Sequence, residues 1–323
     1  MNNLIRKYDA ALVALLAIAA SMTGIRNGFA YDDVRAIAED QRLHQFRNLW
    51  HAFAETYWVP KYSGMMFRPL TSLGFGLEWL VSGGSPMLFH VVSITLYVAV
   101  CVAVLSLAKQ LFDQTTAFAG AALFAVHPLH VEAVANVVGQ AELGAALLVV
   151  LSVTQYLRWT RAGGIGPRRI LALCVMYLCA LMFKEHAVVL PGLIVAAELL
   201  VAAPQGFAQR SRRVLPLMVS MLAVAVFFIL WRAAVIGTVT GTYEVNGLAG
   251  QSLKVRTFTM LPVILEWIRL FVWPASLSAD YSSPRIDVMT SFNAMMIPAV
   301  AVIVSSALIV IRSFNDHPRT VFA

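Results

Sequence analysis

Long, uninterrupted apolar runs recur along this sequence, and they limit what it can fold into more than any other feature. Clear examples cover residues 8–25, 87–111 and 214–236. A run of about 20 apolar residues is long enough to cross the hydrocarbon core of a bilayer as one helix. The runs do not alternate as the strands of a membrane β-barrel do, and a soluble fold would have to bury all of them. The sequence therefore predicts an all-α polytopic membrane protein with about eight to nine transmembrane helices.

The composition agrees with this class of protein. Hydrophobic residues make up 59% of the chain and charged residues 13%, whereas soluble domains are roughly half apolar and a quarter charged. The net charge of +7 does not indicate a nucleic-acid partner, because the arginines cluster in short segments between spans, as the positive-inside rule requires. Cys101, Cys174 and Cys179 lie inside apolar runs without disulfide or metal-site spacing. Membrane lipids are the expected general partner.

The charge pattern also predicts how the chain crosses the membrane. Arg6 and Lys7 precede the first apolar run, which places the N-terminus in the cytoplasm and the next segment outside. That run is long for a signal peptide, so an uncleaved anchor is favoured.

We predict a single membrane domain over residues 1–323. Its parts are a first span (8–26), a first external loop with aromatic-rich, amphipathic juxtamembrane helices (27–85), core spans (86–203), and C-terminal spans with a second large external loop (204–323). Residues 258–275 are apolar but contain prolines and charges, and the sequence leaves open whether they span the membrane or re-enter it.

Two adjacent acids, Asp32 and Asp33, follow the first span at the membrane mouth. The chain has only 17 Asp and Glu among 323 residues, so a pair in this place indicates function. We expect one carboxylate to act as a general base and the other to orient it or to bind a cation; the sequence does not distinguish them. A divalent cation on the pair stays open, and no other cofactor is implied. The alternative is that an Asp caps a helix starting near Val34.

A string of polar residues ends the third apolar run. His127, His130 and Glu132 stand close together there, and ionisable groups near a membrane usually face a water-filled cavity. Their spacing is too compressed for a standard zinc signature. We expect the string to bind phosphate or sugar hydroxyls, with a simple interfacial turn or a metal site as the alternatives.

Cationic residues supply a possible phosphate site on the same side of the membrane. Lys184 lies between two apolar runs beside Glu185, and Arg68 offers a second cation with a bidentate fork. Glu142 lies near the start of the fourth span. An ion pair between Lys184 and Glu185 is the alternative. The cations could bind a phosphate, and an acid could take the proton of a hydroxyl. Together these residues predict the transfer of a group from a lipid-phosphate carrier to a hydroxyl. A transporter with an anion site fits the same residues.

Seven short strings occur in an order that resembles a known family. They are Y-D-D-V-R-A-I at 31–37, F-R-P-L-T-S-L-G-F at 67–75, S-P-M-L-F-H at 85–90, A-L-F-A-V-H-P-L-H-V-E-A-V at 122–134, G-Q-A-E-L at 139–143, F-K-E-H at 183–186 and L-S-A-D-Y-S at 277–282. The chain resembles the membrane region of the transmembrane O-mannosyltransferases with tetratricopeptide repeats, in a form without the repeats. More distantly it is similar to membrane glycosyltransferases of the C-type fold.

The resemblance implies a glycosyltransferase. The donor would be a polyprenyl-phosphate sugar, such as dolichyl- or undecaprenyl-phosphate mannose or another hexose. The acceptor would be a hydroxyl on a protein or glycan, with inversion at the sugar carbon. The protein would be a multi-pass integral protein of the bacterial inner membrane or the endoplasmic reticulum membrane, with its site on the external or lumenal side.

The resemblance also implies roles for individual residues. Asp32 or Asp33 would be the base. The pocket lining would comprise His127, His130, Glu132 and Glu142. Arg68 and Lys184, with the adjacent Glu185, would meet the carrier phosphate.

Three positions depart from the family pattern. Asp40 stands near the place where the family has Asn, Gln140 replaces an Arg, and Phe67 replaces a Tyr. Because Gln140 removes a cation, an alternative function is a non-catalytic membrane carrier or scaffold that binds a polyprenyl phosphate.

Overall fold

The computed structural model of the chain describes residues 2–62, 65–202, 206–239, 247–278, 281 and 285–323. Over these residues the regular structure is helical, without strands, which confirms the all-α prediction. The α-helices are α1 (Asn2–Ser21), α2 (Pro69–Ser82), α3 (Pro86–Leu111), α4 (Gln114–Val126), α5 (Val131–Ala135), α6 (Gln140–Arg161), α7 (Pro167–Phe183), α8 (Leu190–Leu200), α9 (Phe207–Ile236), α10 (Leu253–Val272), α11 (Met296–Asp316) and α12 (Pro318–Phe322). Part of the string at 277–282, the loop at 240–246 and the side chain of Arg6 fall outside the described residues.

Several of these helices are long and apolar enough to cross a membrane. Among the described residues, five helices are candidate membrane spans by their length and composition. The number is six if the bent pair Gln114–Val126 and Pro128–Ala135 forms one span. A polytopic membrane protein is thereby confirmed, but the predicted eight to nine spans are not. The shortfall has a physical basis, because α7 has 17 residues and α8 has 11, and at 1.5 Å per residue α8 is too short to cross unaided.

Local sequence explains where the helices begin and end. Pro86 and Pro167 occupy the first turns of α3 and α7, where a missing N–H removes no intrahelical bond. The carboxylate of Asp113 accepts the N–H groups of Thr115 and Thr116 at the start of α4. α9 ends at Gly237, whose φ of 84° is left-handed.

Small side chains let the first helices pack closely. Ala117, Ala121 and Ala125 lie four residues apart on α4 and are fully buried. They form one cluster with Val13 of α1 and Tyr97 of α3. Because lipid tails are as apolar as the helices, such close backbone approach is what favours association within a membrane.

The first loop folds onto α2 as a series of short helical turns. The turn at Phe46–Phe53 packs on α2, with Leu49 buried and Phe46 and Trp50 exposed. A Cβ atom on Gly76 of α2 would lie 2.3 Å from a Leu49 methyl carbon, so glycine lets the Leu49 side chain pack directly on the helix backbone. The loop therefore has the amphipathic character expected of juxtamembrane helices, while its place on the external side stays a prediction.

An ion-pair network fixes the shape of the same loop. Buried Asp40 accepts the Arg42 backbone N–H at 3.1 Å and pairs with the Arg42 guanidinium at 2.6 Å. Arg42 also pairs with Glu55 at 2.9 Å. Asp40 therefore has a structural partner of its own, which accounts for an acid at this departure from the family pattern.

The chain divides into two compact units. One contains Met1–Gly241 with Phe322–Ala323, and the other contains Thr242–Val321. All the predicted site residues belong to the first unit. In the second, α10 contacts α11. The single domain over residues 1–323, with its four segments, stays a prediction.

Candidate functional site

A tight turn holds the acidic pair at the end of the first span. The Asp33 N–H donates to the Ala30 carbonyl oxygen at 3.0 Å, and the Ala30 N–H donates to Asp33 Oδ2 at 3.3 Å. Within the turn Tyr31 has a φ of 49°, and among the described residues no other non-glycine has a positive φ. A left-handed conformation costs an ordinary residue about 1–2 kcal/mol. The turn thus carries strain at the residue that precedes the acids.

Asp33 is the anchor of this turn. Its side chain is buried, and Oδ1 accepts the Val138 N–H at 2.9 Å, just before α6 begins. Burial raises the pKa of Asp33 above its ordinary value, against the opposing effect of the backbone N–H groups. The segment it binds is equally constrained, because a Cβ on Gly139 would lie 2.3 Å from the Ala133 carbonyl oxygen. Asp33 therefore joins the first loop to the start of α6.

Asp32 points the other way. Its side chain is exposed, and no residue in the described ranges hydrogen-bonds or ion-pairs with its carboxylate. The two acids, adjacent in sequence, thus have different surroundings. Asp32 is open to an incoming group, whereas both oxygens of Asp33 already accept backbone hydrogen bonds.

Tyr57 is a buried loop residue with a cation over its ring. Its ring is 3% exposed, and its hydroxyl is buried without a hydrogen-bond partner among the described residues. The Arg68 guanidinium carbon lies 5.3 Å from the ring centroid, a cation–π distance. Burial raises the pKa of Tyr57, and the charges of Arg68, Asp32 and Asp33 also act on it. The Tyr57 phenol therefore stays protonated and lies within the field of both acids and Arg68.

Arg68 is fixed on one side and open on the other. Its Nε–H donates to Glu185 Oε2 at 3.1 Å, and the side chain is only 13% exposed. Within the described ranges neither Nη group has a hydrogen-bond partner, and neither is fully buried. A guanidinium presents five N–H donors in a planar fork, so the Nη donors of Arg68 can meet an oxyanion without breaking the contact with Glu185.

Lys184 lies beside this pair in a second ion pair. Its ammonium contacts the Glu142 carboxylate, which also lies 3.4 Å from His186 Nδ1. The Thr71 hydroxyl donates to the Phe183 carbonyl oxygen at 2.9 Å, which ties α2 to the end of α7. The sequence alternative of a pair between Lys184 and Glu185 is wrong, because each residue instead pairs with a group on another segment. Each predicted cation thus has a carboxylate partner.

The predicted residues divide into two groups. His127 and His130 line a cavity of about 300 Å³ that also contacts Asn27 and Tyr97. None of Arg68, Lys184 or the acidic pair lines this cavity. The His130 ring packs on Phe124 with centroids 4.2 Å apart. Glu132 is exposed and has no hydrogen bond or ion pair within the described ranges. Residues that were predicted to lie on the same side of the membrane therefore do not all share one pocket.

A buried polar cluster lies behind the acidic turn. The Gln140 amide donates to Glu78 Oε2 at 2.9 Å and to the Phe89 carbonyl oxygen at 3.1 Å. Burial raises the pKa of Glu78 to about 8, although the bond from Gln140 lowers it. His90 is 1% exposed, and neither ring nitrogen has a partner in the described part of the chain. Gln140, the neutral residue that replaces the family Arg, therefore contacts the Glu78 carboxyl, which stays protonated near neutral pH.

The acidic pair does not form a ready cation site. The described residues contain no group of three or more side chains suited to holding a metal ion. Oxygen-ligated cations need several free oxygens, and Asp33 uses both of its own for backbone N–H groups. A divalent cation held by Asp32 and Asp33 is therefore poorly matched to this geometry.

Sequence reasoning missed the central residue of the site. In the sequence Tyr57 is one of several aromatic residues of the first loop, and nothing in its neighbourhood signals that Arg68 lies over its ring. His90 was likewise missed as a buried polar residue, because it lies in an otherwise apolar run.

Comparison with known proteins identifies relatives of this chain. The chain is 34% identical over 188 residues to protein O-mannosyl-transferase TMTC3 of Homo sapiens, a match that covers 56% of this chain and 20% of that protein. It is 35% identical over 185 residues to protein O-mannosyl-transferase Tmtc2 of Drosophila melanogaster, covering 54% and 20%. The chain is a relative of the TMTC protein O-mannosyl-transferases. The family resemblance drawn from the seven strings is thereby confirmed.

The match covers only a small part of each relative. TMTC3 of Mus musculus is 31% identical over 207 residues, which is 62% of this chain and 22% of that protein. The chain thus spans about a fifth of the length of these TMTC proteins. No family model matches the chain, and no solved structure gives a significant match.

Proposed function

We propose that this chain transfers a hexose, mannose in the first instance, from a polyprenyl-phosphate carrier to a hydroxyl acceptor on the external or lumenal face of the membrane. The observation that carries the proposal is the pair of open polar groups at the start and end of the first loop: the Asp32 carboxylate is exposed and unpartnered in the described ranges, and the Arg68 guanidinium over the Tyr57 ring keeps its Nη donors open. The TMTC relatives, which are named protein O-mannosyl-transferases, support the reaction and the sugar.

Asp32 is the proposed base. As the acceptor oxygen forms its bond to the anomeric carbon, the bond from that carbon to the phosphate oxygen breaks, and Asp32 takes the hydroxyl proton. The electron pair leaves with the phosphate, which needs no general acid because it is a good leaving group. A two-step mechanism would need a second carboxylate as nucleophile. Glu185 and Glu142 are ion-paired and Asp33 accepts backbone N–H groups, so a single inverting displacement is favoured.

Arg68 is the proposed contact for the carrier phosphate. Its free Nη groups match the spacing of two phosphate oxygens, and negative charge grows on the phosphate as the bond to the sugar breaks, so this contact strengthens in the transition state. Glu185 and the stacked Tyr57 ring hold the guanidinium in place. Lys184 joins the phosphate only if it leaves Glu142, which makes it the weaker partner.

The remaining predicted residues receive other roles. His127 and His130 line a cavity apart from Arg68, which supports contacts to sugar hydroxyls over contacts to the phosphate. Glu142 is the counter-ion of Lys184. Glu132 has no partner that supports a specific role. Asp33 is a positioning residue for Asp32.

The decisive experiment separates the two acids. The full chain in nanodiscs would be incubated with a short-chain polyprenyl-phosphate mannose and a panel of hydroxyl acceptors, as wild type, Asp32→Asn and Asp33→Asn. We expect Asp32→Asn to lower transfer about 10²–10⁴-fold, the usual contribution of a general base, and Asp33→Asn to lower it less. Glu39→Gln is the matched control, since Glu39 is an exposed carboxylate of the same loop. Full activity in Asp32→Asn would refute the assignment.

The carrier or scaffold alternative rested on the missing cation at Gln140. Gln140 is buried and bonded to Glu78, so a cation there would not have faced the open cluster around Arg68. Its replacement therefore gives little support to a non-catalytic role. Tight donor binding without turnover over the whole acceptor panel would favour that role instead.

A further inference from the structure

The Glu142 carboxylate, near the start of α6, has two neighbours that can carry a positive charge. One of its oxygens contacts the Lys184 ammonium, and the other lies 3.4 Å from Nδ1 of His186. Both neighbours come from the segment that joins α7 to α8. The His186 side chain is 45% exposed, so its ring can exchange protons with water. One carboxylate therefore lies between a permanent cation and a titratable one.

The charges of the two neighbouring ion pairs cancel as they stand. Arg68 pairs with Glu185, and Lys184 pairs with Glu142, so the two pairs together carry no net charge. A polyprenyl-phosphate sugar is a phosphodiester and brings one negative charge. Adding that charge to partly buried ion pairs is costly unless a positive charge is added with it. A proton on His186 supplies this charge.

The surroundings of His186 keep its ring neutral before the donor binds. Partial burial lowers the pKa of His186 below its ordinary value, Glu142 opposes this effect, and Lys184 adds to it. The charged groups that face the ring from the surrounding segments are Glu142, Lys184, Arg68 and Glu185. The ionisable side chain of α8, which packs on the same segment, is Glu198, and it pairs with Arg213 instead. If Lys184 moves away, the ring can take up a proton, because an opposing positive charge has been removed.

We infer that His186 is a positioning residue that releases Lys184 to the carrier phosphate. As the phosphate binds, His186 takes a proton from water and becomes the partner of Glu142. Lys184 then turns to the phosphate, which meets a second cation besides Arg68. No covalent bond is made or broken in this exchange, and one proton passes from solvent to the imidazole. The inference rests on the proposed function and adds a residue to its donor site.

The second cation has its largest effect when the sugar leaves. The carrier phosphate changes from a diester to a monoester, so it gains negative charge as the bond to the anomeric carbon breaks. Two cations, Arg68 and Lys184, stabilise this charge better than one. Lys184 precedes Glu185, the partner of Arg68, and its flexible four-carbon stem allows the ammonium to move. The exchange therefore matches the charge of the site to that of the transition state.

The test measures donor binding together with the protons that accompany it. The full chain in nanodiscs of zwitterionic lipid would be titrated with a short-chain polyprenyl-phosphate mannose by calorimetry, without acceptor. Two buffers of different ionisation enthalpy give the number of protons taken up. For wild type we expect proton uptake near pH 7 and a donor Kd that rises about tenfold from pH 6 to pH 8, a usual size for coupling between two ligands. The phosphodiester itself does not titrate in this range.

His186→Gln keeps a polar side chain beside Glu142 but cannot be charged. It should bind the donor about tenfold more weakly than wild type at pH 6 and equally at pH 8, without the proton uptake. His51→Gln is the matched control. His51 Nδ1 lies 2.5 Å from Glu55, which also pairs with Arg42, so the same three groups meet there in the first loop. This control should keep the Kd and the proton uptake of wild type.

A double-mutant cycle tests the exchange itself. Glu142→Gln removes the carboxylate for which the two cations compete, so Lys184 is released whether or not His186 is protonated. Adding His186→Gln to this variant should change the donor Kd by less than about twofold. A His186 that contacted the phosphate directly would weaken binding in both backgrounds, and that result would overturn the exchange.

The remaining outcomes separate this inference from the proposed function. A wild-type pH profile and wild-type proton uptake in His186→Gln overturn the inference alone. An equal loss of affinity at pH 6 and pH 8 also overturns it, since it indicates a structural role. Binding with the expected proton uptake but without transfer to any acceptor overturns the proposed reaction and leaves the role of His186 standing. If wild type does not bind the donor at any pH, the proposed function and the inference both fall.

Discussion

Glu78 should make the stability of this protein depend on pH in an unusual direction. The side chain is 8% exposed, and its hydrogen-bond partner in the described residues is the neutral Gln140 amide. Burial raises the pKa of Glu78 from 4.5 to about 8. The folded protein therefore binds one more proton than the unfolded chain between these pH values, and its stability falls as pH rises through this range.

The size of this effect follows from the pKa difference. One pKa unit is worth about 1.4 kcal/mol, so a shift of about 3.5 units corresponds to at most about 5 kcal/mol. Raising the pH from 6 to 8 covers about two of those units, which leaves about 2–3 kcal/mol to be measured. Glu78→Gln keeps an acceptor for the Gln140 N–H and cannot ionise, so it should lack this loss.

Thermal unfolding of detergent-purified protein at pH 6 and pH 8.5 measures the difference. The Tm of wild type should lie below that of Glu78→Gln by a larger margin at pH 8.5 than at pH 6, because about two of the roughly 3.5 pKa units fall between these pH values. Glu132→Gln is the matched control, because Glu132 is exposed and its neutralisation should leave the pH profile unchanged. If the Tm values of wild type and Glu78→Gln differ by the same amount at both pH values, Glu78 ionises normally and the reasoning fails.

Four further substitutions test other parts of the fold by the same unfolding assay. Tyr57→Phe removes a buried hydroxyl without a partner in the described residues, so Tm should stay or rise; a marked fall would reveal a missing partner. Arg42→Gln leaves the buried carboxylate of Asp40 without its cation, so the free energy of unfolding should fall by about 2–3 kcal/mol. Wild-type stability in this variant would show that the ion pair does not stabilise the fold. Gly139→Ala places a Cβ 2.3 Å from a backbone carbonyl oxygen and should lower both Tm and transfer. Gly120→Ala, in open space on a helix, should stabilise by about 0.5–1 kcal/mol; equal effects of the two changes would contradict the packing argument.

The helices were the most predictable part of this protein. Apolar length placed the second span at 87–111, and α3 covers Pro86–Leu111. The first external loop was predicted to contain juxtamembrane helices up to residue 85, and α2, in the last part of that loop, has 14 residues. These features depend on local sequence: runs of apolar residues, a proline at a helix start and a glycine after its end. The number of spans was less predictable, because short helices such as α8 cross only with support from neighbours.

The arrangement of the site was much less predictable. Charge and topology placed His127 and Lys184 on one side of the membrane, but topology does not say that they line different pockets. The distinct surroundings of Asp32 and Asp33 depend on the Val138 N–H, which lies far along the chain. The partners of Lys184 and Glu185 depend on helices that meet only in the folded protein. Long-range contacts of this kind leave no pattern in a single sequence.

The bond between Asp33 and Val138 also sets when the site can exist during synthesis. Its two ends are 105 residues apart, and those of the bond between Arg68 and Glu185 are 117 apart. At about 5–20 residues per second, a ribosome needs about 5–20 s to make the intervening chain. The first loop therefore reaches its side of the membrane well before the segments that fix its acid and its cation. A nascent chain carries the residues of the site without its geometry, and the site assembles only after α7 has been made.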